Sequence, residues 1–258
     1  RQSIDDDARF NVVLKNYDFP SKAASKVRAN ASLIAASYIL DSEVAADFVE
    51  FFGRNSFNVS TLGRRSFSRA RIFETADLFD DHPELLEKAN NALCSFDLGL
   101  RSVAIEAREY KGEGDKTEVF KFPIGHHEKE GESFSLSFLE ESNGTQSAFA
   151  LLGELLPVLD SGGIALIDEI DNDLHPHLLS HILDMFKSPE NNKNNAQLLF
   201  TCHTPEVLNL LQKHQVYLVE KYDHESTAWR LDEVVGLRSD DNLYLKYMTG
   251  SLEAVPNI

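Results

Sequence analysis

The chain has 258 residues, 42% of them apolar and 26% charged, and a net charge of −17 at pH 7. That composition suits a soluble globular protein with room for a full core; no apolar run approaches the roughly 18 residues that span a bilayer, and the polar, acidic start lacks the pattern of a secretory signal. Two cysteines, Cys94 and Cys202, are too few for a disulfide framework or a cysteine zinc site and fit a reducing, cytoplasmic setting.

The charge is uneven. Residues 1–75 hold 11 Lys/Arg against 9 Asp/Glu, a net +2 that leaves −19 for the remainder. A mainly acidic surface argues against broad, sequence-independent DNA binding, which depends on neutralising phosphates, but leaves room for a local basic site. The first residue is Arg1, which fits a processed form, a truncation or a piece of a longer protein.

In chain order, Phe10, Val12 and Leu14 alternate as in a strand before Asp18-Phe19-Pro20 stops the pattern. From Ser21 to about Phe52 apolar residues recur at helical spacing, with Asp41-Ser42 dividing two helices and Ser42 a candidate N-cap. Gly63 to Arg71 packs four arginines around Phe67. It reads as a solvated face pairing with the acidic remainder, with phosphate contact as the alternative. Pro83 to Ser95 is predicted helical, with Pro83 in the tolerated first turn.

Val103–Tyr110, Glu118–Pro123 and Ser133–Leu139 read as strands. The first two flank Lys111 to Thr117, a polar hairpin loop in which Asp115 separates Gly114 from Lys116, so it is not a GxxxxGK[ST] phosphate loop; no such loop occurs in the chain. His126-His127 is expected to be exposed. Ser142-Asn143-Gly144-Thr145 then opens an amphipathic helix, where backbone N–H groups and the Ser142 hydroxyl make either an anion site or a plain helix cap.

Ile164-Ala165-Leu166-Ile167 is a short apolar run of the kind buried in a parallel sheet, and it ends in Asp168-Glu169. At the carboxyl end of such a strand, one carboxylate can reach a magnesium shell and the other can orient a water. This is a Walker B pattern. A helix from His175 to Phe186 follows, and its His175, His177 and His181 are read as structural rather than zinc-binding. Gln197–Phe200 is predicted as a second core strand, leading to Thr201-Cys202-His203 and a further helix. Cys202 and His203, adjacent on an extended chain, do not form a catalytic dyad. Val216–Glu220 is expected as a third core strand, with Val216–Val219 parallel or nearly parallel to the first two. Trp229–Leu231 reads as an edge, and a last helix over Asp240–Thr249 stops at Gly250.

The order of these sites resembles the C-terminal half of an ABC-type ATPase head, as in SMC and DNA-repair proteins. The stretches EESNGTQSAFALLGELLPVLDSGG, IDEIDNDLHPHLL, SPENNKNNAQLLFTCHTPEVL and DDNLYLKYMTGSLEAVPNI are similar to bacterial AAA-type ATPase/GTPase proteins of abortive-infection and restriction-linked phage-defence operons. The likeness spans at least Ser133 to Ile258. It implies an α/β, P-loop NTPase-like sheet with flanking helices over residues 101–258, preceded by a mainly helical segment over 1–100.

It further implies ATP and Mg2+ as ligands. Asp168 would sit at the metal, and Glu169 and His203 would be catalytic. Ser142, Asn143 and Gly144 would serve as a signature turn, and Asp171, Asn172 and Asp173 as a nucleotide-contacting D-loop. Asn143 and Thr145 depart from the usual signature residues. In such heads the signature acts across a head-to-tail homodimer, and relatives work with an effector such as a nuclease. Because a phosphate loop is missing here, it is expected upstream or on another chain, and this chain alone is expected to be inactive. A non-hydrolysing scaffold and a chromosome-type ATPase are the competing readings; nucleic acid stays open as a partner.

Overall fold

The computed structural model describes residues 19–28, 30–96, 99–111, 117–172, 174, 176–238 and 240–252. The expected strand around Phe10 to Leu14 lies outside them. The expected helical run over 21–52 is three pieces: α1 (Ser21–Ala24), α2 (Leu33–Ile39) and α3 (Glu43–Gly53). Ser32 and Ser42 cap the latter two by accepting from the N–H groups of Ala35 and Ala45, each at 3.3 Å. Asp41, at φ 60°, makes the break between them.

Three two-residue strands follow: β1 (Ser56–Phe57), β2 (Val59–Ser60) and β3 (Gly63–Arg64). Helices α4 (Arg69–Asp81) and α5 (Pro83–Ser95) lead to an antiparallel meander of β4 (Leu100–Lys111), β5 (Thr117–Lys129) and β6 (Glu132–Ser137). The residues before 101 are therefore not purely helical, since β1 enters the central sheet. Next come α6 (Asn143–Ser161), β7 (Ile164–Ile167), α7 (Pro176–Lys187) and β8 (Gln197–Phe200). The hairpin β9 (Tyr217–Tyr222) and β10 (Glu225–Arg230) and the short α8 (Leu243–Met248) complete the described chain. None of the described helices is long and apolar enough to cross a membrane.

The central sheet is parallel, in the order β1-β7-β8, with Phe57, Leu166 and Leu199 in one cross-strand row. The expectation of parallel β7 and β8 strands holds, but their neighbour is β1. The run at Val216–Val219 lies elsewhere, with β9 paired antiparallel to β10. Its residues alternate: Leu218 is buried in a small cluster with Val216, Leu231, Leu237 and Leu243, whereas Tyr217 and Val219 face outward. Half-burial with period two fits a hairpin strand, although β8 in the parallel sheet alternates in the same way.

The main core packs one face of the parallel sheet, through Ala165 and Ile167, against residues of α4 to α7. Phe149 of α6 sits at its centre. Its ring meets Phe79 edge-on at 5.3 Å and Phe138 at 4.5 Å; burying such a side chain stabilises by about 3 kcal/mol. The opposite row is more open, and Leu199 is 48% exposed.

At the junction of α6 and β7, Gly162 adopts φ 73° and closes the helix. Gly163 then passes so near the end of α3 that a Cβ would lie 1.9 Å from the Arg54 carbonyl oxygen. Asn55 accepts from the Ile164 N–H at 2.8 Å beside it, which sets the height of β7 against β1. Gly163→Ala is expected to lower stability by about 3 kcal/mol, the upper range for overpacking. Chemical denaturation checks this, and an unchanged midpoint would contradict the close approach.

Candidate functional site

Strand β7 ends at Ile167, and the two carboxylates emerge in a turn braced from both sides. Asn58, just past β1, donates from Nδ2 to the Asp168 carbonyl at 2.9 Å and accepts from the Asp168 N–H at 2.7 Å. On the other side Thr201, just past β8, donates its N–H to the Ile167 carbonyl at 3.0 Å. Its hydroxyl donates to Asp168 Oδ1 at 2.6 Å and accepts from the Glu169 N–H at 2.8 Å. These bonds hold Glu169 at φ 51°, a left-handed conformation that costs a non-glycine residue about 1–3 kcal/mol.

The Glu169 carboxylate sits between the Arg64 guanidinium and the His203 ring. Oε2 lies 3.0 Å from Arg64 Nη2, and Oε1 lies 3.5 Å from His203 Nε2. The Arg64 side chain is 23% exposed and that of His203 83%. With the Asn172 amide turned to present its oxygen, that oxygen accepts from both Nη1 and Nη2 of Arg64 at 2.9 Å. Asp171 ties the turn to the β8 loop: Oδ2 accepts from the His203 N–H at 3.0 Å and from Thr204 Oγ1 at 2.7 Å. Asp171 Oδ1 is buried without a hydrogen-bond partner. Asp173 and His175 lie outside the described residues.

Ser142 and Asn143 are exposed at the start of α6. Ser142 Oγ accepts from the Thr145 N–H at 3.2 Å and lies 2.8 Å from Thr145 Oγ1, so its hydrogen bonds stay within its own turn. That turn is anchored to the antiparallel sheet. His127 Nε2 lies 2.7 Å from Glu141 Oε1, and His127 Nδ1 lies 2.9 Å from the Gly99 carbonyl oxygen. A carbonyl only accepts, so Nδ1 is the donor in that bond. The expected exposure of His126-His127 is thus corrected: both lie in β5, His127 is largely enclosed, and His126 Nδ1 meets Ser135 Oγ of β6 at 2.8 Å.

The arginine run pairs with the acidic remainder as expected, Arg64 with Glu169 and Arg71 with Glu154 of α6, and Arg65 and Arg69 are exposed. What differs is that Arg64 and Arg71 are half-buried rather than solvated, while Arg65 donates to the Phe57 carbonyl. Sequence reasoning singled out Asp168, Glu169, Asp171, Asn172 and His203, which the fold gathers at one sheet edge. It missed Asn58, Arg64 and Thr201, whose partners are remote in sequence.

These features define an α/β domain with acidic residues at the carboxyl end of a parallel sheet. Residues 4–209 match the family described as "AAA domain, putative AbiEii toxin, Type IV TA system". The chain belongs to that family and is an ATPase-type AAA domain. It is 31% identical over 97 residues to the "Retron Ec83 probable ATPase" of Escherichia coli, a match covering 33% of this chain and 17% of that protein. The matched stretch is therefore a small part of the curated relative. Two solved structures show a partial likeness. One is an SMC head bound to the C-winged helix domain of ScpA, with 16% identity, 78% of this chain and 63% of that chain covered, and a TM-score of 0.40. The other is an Smc head domain with an extended coiled coil, bound to the C-terminal domain of ScpA derived from Pyrococcus furiosus. There the identity is 15%, the coverage 62% and 38%, and the TM-score 0.37.

Cys202 lies beside this edge as a thiol. Burial, and then the Asp171 carboxylate, push its pKa up to about 11. Both effects disfavour the thiolate, so reactivity stays low until pH nears that value. Iodoacetamide labelling of Cys202, followed by mass spectrometry, is expected to be slow at pH 7 and to rise about tenfold per pH unit up to pH 9. Rapid labelling at pH 7 would contradict the packing around the thiol.

Proposed function

We propose that this chain carries the Walker B and switch elements of an ATP-hydrolysing, phage-defence ATPase. The observation that carries the reading is the meeting of Glu169 and His203 at 3.5 Å, beside an Asp168 whose backbone and carboxylate are both fixed. In the reaction, water attacks the γ-phosphorus of ATP, a new P–O bond forms, the bond to the β–γ bridging oxygen breaks, and ADP leaves with inorganic phosphate. Glu169 takes a proton from the attacking water, and His203 donates to a γ-phosphate oxygen.

Asp168 supplies a carboxylate, the hard oxygen donor that suits Mg2+, and its Oδ1 is held in place by the Thr201 hydroxyl at 2.6 Å. Asp168 would hold the ion, mostly through water. When bound, magnesium neutralises charge on the phosphates. Asp171 keeps the following turn against the β8 loop, Asn172 meets Arg64, and with Asp173 they would form the nucleotide-contacting D-loop.

The Ser142-Asn143-Gly144 turn, exposed at Ser142 and Asn143, would receive the nucleotide of a second copy in a head-to-tail dimer, with ATP as part of the interface. The half-open row of Phe57, Leu166 and Leu199 and the outer edge of β8, unpaired among the described residues, suit packing by the part that bears the phosphate loop. The likeness to a probable retron ATPase supports the ATPase reading, and an effector such as a nuclease would be its partner. Two free cysteines fit the cytoplasm. One observation favours a scaffold that does not turn over ATP: the sequence contains no GxxxxGK[ST].

Turnover separates the two. In the full-length protein, Glu169→Gln is expected to lower ATP hydrolysis about 100-fold or more while leaving nucleotide binding intact. Light scattering should then show an ATP-dependent dimer that adding Ser142→Arg abolishes. Equal hydrolysis by wild type and Glu169→Gln would contradict the assignment, and a dimer insensitive to Ser142→Arg would leave Ser142 a helix cap.

A further inference from the structure

We infer that Arg64 is a positioning residue: it pins one oxygen of the Glu169 carboxylate and leaves the other facing His203, where the attacking water binds. The inference rests on the reading of Glu169 as general base.

A carboxylate on a flexible side chain is a poor base unless one oxygen is aimed at the water, because small misplacements of a reacting group cost large factors in rate. The two Glu169 oxygens have unequal partners. The Oε2 contact to Arg64, at 3.0 Å, is within normal hydrogen-bond length, whereas the Oε1 contact to His203, at 3.5 Å, is not. His203 is also by far the more exposed partner and is free to turn toward a phosphate. Oε1 is therefore the oxygen that a water can reach, and Oε2 is the one held.

Arg64 is itself fixed. Its backbone pairs in the β2–β3 hairpin, opposite Val59, and the next residue donates its N–H to the Asn58 carbonyl at 2.7 Å. Asn58 is the residue that clamps Asp168. The guanidinium also bridges Glu169 to Asn172, which are joined by a hydrogen bond from the Asn172 N–H to the Glu169 carbonyl at 3.1 Å. Arg64 thus spans both ends of the turn with a planar fork. A lysine, with one compact charge, does not match that geometry. The neighbouring Arg71 is engaged with Glu154 and Arg65 with the Phe57 carbonyl.

The test uses the full-length protein with ATP in steady-state hydrolysis and in equilibrium nucleotide titration, on wild type, Arg64→Ala, Arg64→Lys, Glu169→Gln and the Arg64→Ala/Glu169→Gln double variant. Arg64→Ala is expected to lower kcat about 10- to 100-fold, with KM and nucleotide Kd within about twofold of wild type. Arg64→Lys should recover only part of the loss. In the Glu169→Gln background the alanine change should have no further effect, because Arg64 acts through Glu169. If Arg64→Ala does not fold, as judged by its melting curve, Arg64→Lys reads the same split. A raised KM at unchanged kcat would make Arg64 a nucleotide contact, a raised kcat would make it a restraint, and full additivity with Glu169→Gln would make it independent; each overturns the inference. If Glu169→Gln is inactive while Arg64→Ala and Arg64→Lys match wild type, only the inference fails. If Glu169→Gln itself matches wild type, the reading beneath it fails.

Discussion

A single amide, that of Asn58, takes both backbone hydrogen-bonding groups of Asp168, and the whole acidic edge depends on it. Strand β1 is only two residues long, so the backbone ladder to β7 stops one step short of the carboxylates. The Asn58 side chain supplies the missing rung. Thr201 does the equivalent from β8, giving its hydroxyl proton to Asp168 and its lone pair to the Glu169 N–H. Between these braces the chain tolerates a left-handed glutamate, a strain that only a well-determined turn retains.

The same turn is tied to the rest of the molecule through α6. Its first turn presents Ser142, and Glu141 just before it is held by His127 of the antiparallel sheet. Farther along, Glu154 pairs with Arg71, whose helix begins a few residues after Arg64. The helix then ends at Gly162 and leads into β7. One helix thus links an outward-facing turn to the strand that carries the acidic edge. In a chain of charge −17, Arg64 is the local counter-charge that lets Glu169 sit among Asp168 and Asp171.

Much of this was legible in the sequence wherever the signal is local. The apolar run before Asp168-Glu169, the cap at Ser42, the turn before α6 and the glycine stop at Gly250 all follow from periodicity or backbone chemistry within a few residues. Pairing was harder to read. Val216–Val219 is as apolar as Ile164–Ile167, and what distinguishes them is the partner each pairs with: β9 is antiparallel to β10, and β7 is parallel to β8. A two-residue strand such as β1 leaves no periodic pattern at all. Arg64 looked like one more surface charge because its partner lies more than a hundred residues away, and His127 looked exposed because Glu141 and Gly99 reach it only in the fold.

The most direct test of the acidic edge as a nucleotide site is a structure of the full-length protein trapped with Mg2+ and a non-hydrolysable ATP analogue. The expected result is magnesium beside Asp168, with the γ-phosphate between His203 and a water held by Glu169 Oε1. Nucleotide bound away from the carboxyl ends of β7 and β8, with Glu169 still closed against His203, would contradict it.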